Sequence, residues 1–301
     1  MIPAIAKIIK DIKDLKIQGS TNISTAGVEC IRLAAKHSRA KTKRAFISEL
    51  ERLCVTLSKA RVTEPALRNA LKYVMIRIKL HEDFKTIKEY TEQVCRNYLR
   101  ELRDMVKVIA EIGSGLIENG DVILTHCHSE NVTAILLASK KQGKRFRVIV
   151  TETRPMYQGL ITARALSKAG IKVTLCVDSA IGYVMKGVKK VLVGCDAILV
   201  DGSIVNKIGT FPIAVLARDF GVPFYVAGGT YKFATETVLG RQEPIENRDP
   251  KEVADPRSLP GVEIINPSFD VTPAEFIKIL ITEKGVTRPE WIMELSRGMF
   301  L

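Results

Sequence analysis

The feature that most constrains the fold is a change in hydrophobic periodicity near residue 120. From Ile2 to about Gly113 the apolar residues recur every three or four positions, which predicts helices. From Asp121 onward, short runs rich in β-branched residues alternate with helical stretches, a pattern typical of βαβ units around a parallel sheet. We therefore predict an α/β protein with a helical domain over residues 1–115 and a parallel-sheet domain over residues 116–301.

Glycines mark the ends of several helices in the second domain, because Gly143, Gly170 and Gly221 each follow a helical stretch and precede an apolar run. After a polar excursion over residues 241–260, we expect a last strand at 262–265 and a helix from about residue 272. The other predicted strands are 122–124, 146–150, 173–177, 191–193, 197–200 and 223–227. The predicted helices between them are 130–142, 157–169, 179–187 and 209–220.

Composition narrows the class of protein. No apolar run approaches the roughly 20 residues that span a bilayer, and the N-terminus mixes Ile and Leu with Lys and Asp at helical spacing. We therefore expect a cytoplasmic protein without membrane association. The six cysteines are scattered and form no C-x-x-C pair, so we expect neither a disulfide framework nor a zinc ribbon.

The positive charge is concentrated in the helical domain. Residues 1–110 contain 23 Lys and Arg against 12 Asp and Glu, which accounts for most of the net charge of +13. Such a surface can attract nucleic acid, an acidic protein or a phosphorylated metabolite, or can simply be solvated. The densest cluster, Lys36 to Arg44, contains no aromatic residue for base stacking, so we expect no specific nucleic-acid site.

Two polar motifs that follow apolar runs suggest an active site. Thr125 to Ser129 reads Thr-His-Cys-His-Ser, and Gly194 to Asp196 reads Gly-Cys-Asp. Strand ends in an open α/β sheet face one crevice, so Cys127 and Asp196 can act on the same ligand, as proton-transferring groups. A helix beginning near Ser129 is expected to lower the pKa of the Cys127 thiol. A buried inert cysteine and a structural acid are the alternative interpretations.

A metal site at His126, Cys127 and His128 is not expected, because neighbouring side chains on an extended segment point to opposite faces. The following segment, Asp201 to Thr210, supplies an amide, a lysine and a helix start, groups with which many folds bind phosphate. It lacks the glycine spacing of a Walker A loop. We therefore predict no metal and no cofactor.

Five motifs along the chain carry one resemblance. They are Thr125 to Ser129, Val150 to Pro155, Val193 to Asp196, Ile204 to Thr210 and Thr230 to Phe233. Together they resemble the superfamily that joins the alpha, beta and delta subunits of translation initiation factor 2B with methylthioribose-1-phosphate isomerase and archaeal ribose-1,5-bisphosphate isomerase. The resemblance covers nearly the whole chain and is closest to the ribose-1,5-bisphosphate isomerases. It implies a Rossmann-like catalytic domain.

The resemblance implies an aldose-ketose isomerase that converts ribose 1,5-bisphosphate to ribulose 1,5-bisphosphate in nucleotide salvage. Cys127 would be the carbon acid/base, and Asp196 would open the ring and shuttle protons between oxygens. The candidates for binding the substrate are Gly19, Ser20, Arg61, Ser129, Asn206, Lys207 and Lys232. The alternative interpretation of Arg61, Lys207 and Lys232 is that each is a surface residue that binds no ligand. The resemblance also implies a homodimer or homohexamer.

One loop departs from the pattern of the isomerases. They carry an Arg-Gly-Ala type loop near the N-terminus, whereas Ile17 to Asn22 reads Ile-Gln-Gly-Ser-Thr-Asn. Gly19 and Ser20 still offer backbone and hydroxyl donors. The positive charge of that arginine is missing from this loop, and its absence favours two alternatives. One is an isomerase for a monophosphate such as methylthioribose 1-phosphate. The other is a non-catalytic initiation factor 2B-like subunit that binds initiation factor 2 alpha.

Overall fold

The computed structural model describes residues 2–296, and the chain divides into two compact units, Met1–Met105 and Val106–Leu301. The division falls inside a long helix, Ile87–Ser114, rather than after residue 115 as the periodicity predicts. The reason is that Ile109, in the last third of this helix, packs with Ile123 and Val148 in the core of the second unit.

The first unit is helical, as the periodicity predicts. Pro3 and Pro65 begin helices, where proline's missing N–H costs no hydrogen bond, and the Thr42 side chain caps a third helix by accepting from the Ala45 N–H. Fully buried residues such as Ile31 fill the core. The helices are α1 (Pro3–Lys13), α2 (Ser20–His37), α3 (Lys43–Ser58), α4 (Pro65–Leu80) and α5 (Ile87–Ser114).

The second unit contains a mostly parallel seven-stranded sheet in the order β10-β9-β7-β4-β1-β2-β3. Counting only its six parallel strands along the chain, the order is 3-2-1-4-5-6, which is that of the Rossmann fold. β10 pairs with β9 in the antiparallel sense. The strands are β1 (Val122–Thr125), β2 (Arg147–Thr151), β3 (Lys172–Cys176), β4 (Lys190–Gly194), β7 (Phe224–Ala227), β9 (Ile279–Thr282) and β10 (Gly285–Thr287).

The helices of this unit follow the strands, as βαβ units require. Gly143, Gly170 and Gly221 have positive φ values of 83°, 73° and 66°, the left-handed conformation that glycine favours after a helix, so the predicted C-caps are confirmed. Predicted helix 179–187 is a 3-10 turn continued by a short α-helix. The helices are α6 (Glu130–Lys141), α7 (Gly159–Lys168), α8 (Ile181–Met185), α9 (Thr210–Asp219) and α10 (Ile292–Ser296).

A second, antiparallel sheet has the order β5-β6-β8, formed by Ala197–Ile198, Ile204–Lys207 and Phe269–Thr272. The predicted strand at 262–265 is wrong, because Val262 and Ile265 are exposed and the run has no partner strand. The predicted helix from about residue 272 is only a 3-10 turn at Ala274–Phe276. The chain instead continues into β9 and β10.

Candidate active site

The candidate site lies where the order of the parallel strands reverses. β1 and β4 are parallel neighbours, and Cys127 and Asp196 each follow the carboxyl end of one of them. In open α/β sheets, ligands bind at this topological switch point. The structure thus confirms that the two strand ends are adjacent, as the sequence predicts, and both side chains are half-buried.

Cys127 sits on a tight turn and not on an extended segment. Its φ is +66°, in the left-handed region that non-glycine residues rarely adopt. The turn is held from both sides, since the Cys127 N–H donates to Thr153 Oγ1 at 2.9 Å and the Cys127 carbonyl accepts from Thr162 Oγ1 at 2.9 Å. A strained backbone of this kind needs such support and is common at functional sites.

The thiol is not activated in the way the sequence predicts. Burial raises the pKa of Cys127 to about 11, although Lys207 and the His128 N–H each act to lower it. Asp196 and Asp178 add to the rise in the pKa of the thiol through their charges. The prediction of a lowered thiol pKa is therefore wrong, because loss of hydration outweighs the nearby positive groups. At neutral pH, Cys127 is a thiol.

The two histidines beside Cys127 are both engaged in hydrogen bonds. His126 is buried, with Nδ1 2.5 Å from Thr151 Oγ1 and Nε2 2.8 Å from the Ile208 carbonyl oxygen. His128 Nδ1 lies 2.9 Å from Thr162 Oγ1. Burial lowers the pKa of both imidazoles, which favours their neutral forms. The two histidines thus tie the segment that bears Cys127 to the neighbouring residues Thr151, Ile208 and Thr162.

Ser129 connects the two strand ends. Its side chain accepts from the Val132 N–H at 3.4 Å and caps α6, the helix that follows Cys127. It also lies against Gly194, the last residue of β4, where a side chain would collide with it. Asp196, two residues further on, is fixed by its N–H, which donates to the Val205 carbonyl at 2.8 Å.

Asn206 and Lys207 lie at the end of β6, and the structure places their strand beside β5, which begins directly after Asp196. Asn206 is buried and donates from Nδ2 to Thr210 Oγ1 at 2.9 Å. Lys207 is half-buried, with Nζ 4.8 Å from the centre of the Phe269 ring. The residue after Lys207, Ile208, accepts a hydrogen bond at 2.8 Å from His126, the neighbour of Cys127, so the end of β6 lies beside the Cys127 turn. The charge of Lys207 acts to lower the pKa of the Cys127 thiol.

Lys232 approaches the site from the end of β7. It is buried, and its Nζ donates to the Cys195 carbonyl at 2.7 Å, so its charge lies beside the peptide that precedes Asp196. Gly228 allows the chain after β7 to pack against Cys195, because a Cβ there would lie 2.3 Å from Cys195 Sγ. Glu283 fixes the turn by accepting hydrogen bonds from both the N–H and the hydroxyl of Thr230.

The other predicted binding residues belong to the helical unit. Gly19 has φ +81° and precedes α2, whose first residue, Ser20, is buried. The N–H groups of that first turn are the donors a helix offers to an anion. Arg61 is buried in the segment after α3. Binding of the substrate by these three residues stays a prediction.

Sequence reasoning gave no role to three polar residues near Cys127: Thr151, Thr153 and Asp178. Thr151 and Thr153 are fully buried at the end of β2, and Asp178 accepts from the Thr153 N–H at 2.8 Å and the Arg154 N–H at 2.6 Å. Their signal was present, since both segments are polar and directly follow predicted strands. It is the same argument that identified Cys127 and Asp196.

Asp270 on β8 is a further residue without a sequence-based assignment. Its Oδ2 accepts from the N–H groups of Gly209 (2.8 Å) and Phe211 (3.2 Å), while Oδ1 is buried without a hydrogen bond. Burial raises the pKa of its carboxyl to about 6. Asp270 thereby fixes the start of α9 next to Lys207.

The described residues contain no helix that is both long and apolar enough to cross a membrane. Within residues 2–296, no cluster of three or more His, Cys, Asp and Glu side chains is arranged to bind a metal ion.

Comparison with known proteins relates the whole chain to one group. The model of the Initiation factor 2 subunit family matches residues 16–289. A curated relative from Pyrococcus furiosus, named ribose 1,5-bisphosphate isomerase, is 38% identical over 308 residues, covering 100% of this chain and 95% of the relative.

Solved structures give the same result for the fold. The translation initiation factor eIF-2B of Pyrococcus horikoshii OT3 matches with a TM-score of 0.83 and 28% identity, covering 96% of this chain and 98% of that one. The 5-methylthioribose 1-phosphate isomerase of the same organism matches with a TM-score of 0.77 and 29% identity, covering 98% and 87%. Proteins with this fold thus include one that is named an initiation factor and one that is named an isomerase.

Proposed function

The chain belongs to the Initiation factor 2 subunit family and is an isomerase of the intramolecular oxidoreductase type, and we propose that it converts ribose 1,5-bisphosphate to ribulose 1,5-bisphosphate. The observation that carries this proposal is the placement of Cys127 and Asp196 at adjacent strand ends. A relative with the name of this activity is 38% identical over the full length of the chain. Nucleotide salvage is the pathway we propose for it.

The reaction moves a carbonyl from C1 to C2 of the opened sugar. A proton leaves C2 and a proton reaches C1, while a proton is exchanged between the two oxygens. We assign the proton transfers at C1 and C2 to Cys127. We assign the opening of the ring and the proton transfer between the oxygens to Asp196. Since burial raises the thiol pKa to about 11, the resting thiol must lose its proton before it can take one from C2. Lys207, which lowers that pKa, assists this step.

Lys207, Lys232 and the first turn of α6 support binding of an anionic sugar. Lysine ammonium groups and backbone N–H groups at helix N-termini form charge-assisted hydrogen bonds with phosphate oxygens. Ser129 caps α6 beside Cys127, so a sugar held there would have its carbon chain next to the thiol. We propose Asn206 as a further substrate contact, and we keep Gly19, Ser20 and Arg61 of the helical unit as proposed substrate-binding residues.

The test is an assay of purified protein with ribose 1,5-bisphosphate and, in parallel, methylthioribose 1-phosphate, with the ketose phosphate detected by mass spectrometry. We expect product from the bisphosphate and a loss of at least about 10³-fold in Cys127→Ser and Asp196→Asn. His37→Gln, at an exposed position in the helical unit, is the control and retains activity. Product from the monophosphate alone would replace the proposed substrate, and activity in Cys127→Ser would overturn the catalytic assignment.

An exposed apolar surface supports a homodimer, which could assemble further into a homohexamer. β3 is the edge strand of the large sheet; Leu175 on it is 45% exposed, and Val177, just after its end, is 52% exposed. On the segment after it, Tyr183 is 87% exposed. Clustered exposed apolar side chains of this size mark a protein interface. We also propose a cytoplasmic location, in keeping with a phosphorylated pentose substrate.

The second candidate function is a subunit that binds initiation factor 2 alpha. The observation that favours it is the positive charge of the helical unit, centred on Lys36 to Arg44, together with the factor name of a structural match. A pull-down with initiation factor 2 alpha at physiological salt, with and without neutralisation of this cluster, tests it. Charge-dependent binding combined with inactivity on both sugars would make this the function.

A further inference from the structure

The turn that bears Cys127 and the turn that follows Lys207 are joined by a single imidazole. His126 is 2% exposed, and its two ring nitrogens contact two different elements. Nε2 lies 2.8 Å from the carbonyl oxygen of Ile208, and Nδ1 lies 2.5 Å from Oγ1 of Thr151 at the end of β2. The chain separation between His126 and Ile208 is 82 residues, so this contact fixes two distant segments.

The donor and the acceptor of each hydrogen bond to the His126 ring can be assigned from the chemistry of its partners. A carbonyl oxygen only accepts, so His126 Nε2 carries the proton that it donates to Ile208. In the neutral imidazole Nδ1 is then an acceptor, and the Thr151 hydroxyl donates to it. Thr153 Oγ1 accepts from the Cys127 N–H and lies 3.3 Å from the Thr151 carbonyl oxygen and 3.5 Å from Thr151 Oγ1.

The Ile208 turn is built to receive this imidazole. Gly209 has φ +102°, and a Cβ on it would lie 3.2 Å from Cε1 and Nε2 of His126. Its N–H is held at 2.8 Å by Asp270, and the Ile208 N–H donates to the Ser268 carbonyl at 3.0 Å. The backbone of Ile208, the residue after Lys207, is therefore fixed relative to the His126 ring.

We propose that His126 is a positioning residue of the isomerase, whose Nε2–H tautomer ties the segment that bears Lys207 to the turn that bears Cys127. This proposal rests on the proposed function for its role in catalysis. The positioning itself does not, because it is a relationship between a lysine charge and a thiol that can be measured without substrate.

The test measures the rate at which iodoacetamide alkylates Cys127 at pH 8, quantified on the Cys127 peptide by mass spectrometry. In the otherwise unchanged protein, Lys207→Met slows alkylation about threefold or more, because a lysine charge near a thiol increases its thiolate fraction. In a His126→Asn background, which shortens the side chain away from Ile208, we expect this effect of Lys207→Met to disappear. In a His126→Gln background, which keeps a donor near the Nε2 position, part of the effect returns.

Thr151→Val and Thr151→Ser form a second pair that leaves the imidazole intact. Valine removes the donor to Nδ1 at nearly constant volume, and serine retains it. We expect Thr151→Val to lower kcat about 10- to 100-fold with a smaller change in KM, since misplaced catalytic groups cost rate, and Thr151→Ser to restore most of it. If His126→Asn does not fold, as judged by circular dichroism, the effect of Lys207→Met on the alkylation rate is measured in the Thr151→Val background instead, and that result tests the positioning role of His126.

An effect of Lys207→Met that persists undiminished in the His126→Asn or Thr151→Val background would overturn the positioning role. A wild-type protein that is inactive on both sugar phosphates, yet loses the lysine effect in these backgrounds, would remove the proposed function and leave the positioning role standing. Lys168→Met, at the exposed last residue of α7, is the control and changes neither rate.

Discussion

A β-carbon on Gly194 would lie 2.5 Å from Oγ of Ser129, so the end of β4 and the start of α6 fit together only because residue 194 has no side chain. The same serine caps the helix that follows Cys127, and Gly194 lies two residues before Asp196. The two proposed catalytic residues are thus held together by a contact between a glycine and a helix cap.

Gly194→Ala should destabilise the fold. The added methyl group overlaps Ser129, and overpacking of this kind costs about 1–3 kcal/mol of unfolding free energy. Urea denaturation measures the change. Ser129→Gly in the same chain removes the colliding atoms and should recover part of the loss.

Gly182→Ala is the control for that substitution, because no atom lies within 4 Å of its Cβ position. There we expect no loss and a gain of up to about 1 kcal/mol, since Gly182 lies within α8. Equal losses at residues 182 and 194 would contradict the steric explanation.

The reactivity of Cys127 should rise steadily with pH. Because burial raises the pKa of its thiol to about 11, the thiolate fraction increases about tenfold for each pH unit between 7 and 10. Alkylation rates at the Cys127 peptide measure this. A rate that levels off near pH 7 would show that the thiol is activated after all.

Asp270 should make stability depend on pH. Burial raises the pKa of its carboxyl from 3.8 to about 6, so the folded protein binds this proton more tightly than the unfolded chain does. The resulting stabilisation is fully present below about pH 4 and is lost as the pH rises through about 6. Relative to Asp270→Asn, the wild type should lose about 2 kcal/mol between pH 4 and pH 7. Parallel stability curves for the two proteins would contradict the shift.

Tyr183→Arg and Leu175→Glu should weaken the proposed dimer. Both place a charge on an exposed apolar surface at the edge of the large sheet. Light scattering coupled to size-exclusion chromatography should report a shift from dimer to monomer. Leu239→Glu, at a residue that is 77% exposed elsewhere, is the matched control. A mass unaffected by all three changes would place the interface on another surface.

The sequence predicted five strands of the large sheet, β1, β2, β3, β4 and β7, because each is a short apolar run. It missed β9 and β10, where a helix from about residue 272 was predicted. It also predicted that Cys127 and Asp196 follow adjacent strands, since strand ends in such folds share a crevice. It did not predict β6 and β8, because Asn206 pairs with Asp270, 64 residues away, and neither segment carries a strong local pattern. The predicted lowering of the Cys127 thiol pKa was wrong for a related reason, because the burial that raises this pKa depends on the whole fold.

The small antiparallel sheet has an evolutionary consequence. Lys207 and Asn206 lie on β6, which pairs with β5 and β8 and with no strand of the large sheet. Side chains there can change without altering the backbone pairing of the parallel strands that precede Cys127 and Asp196. The proposed reacting groups can therefore be retained while the proposed anion contacts diversify, which is a route by which a single ancestor could give rise to enzymes for different sugars.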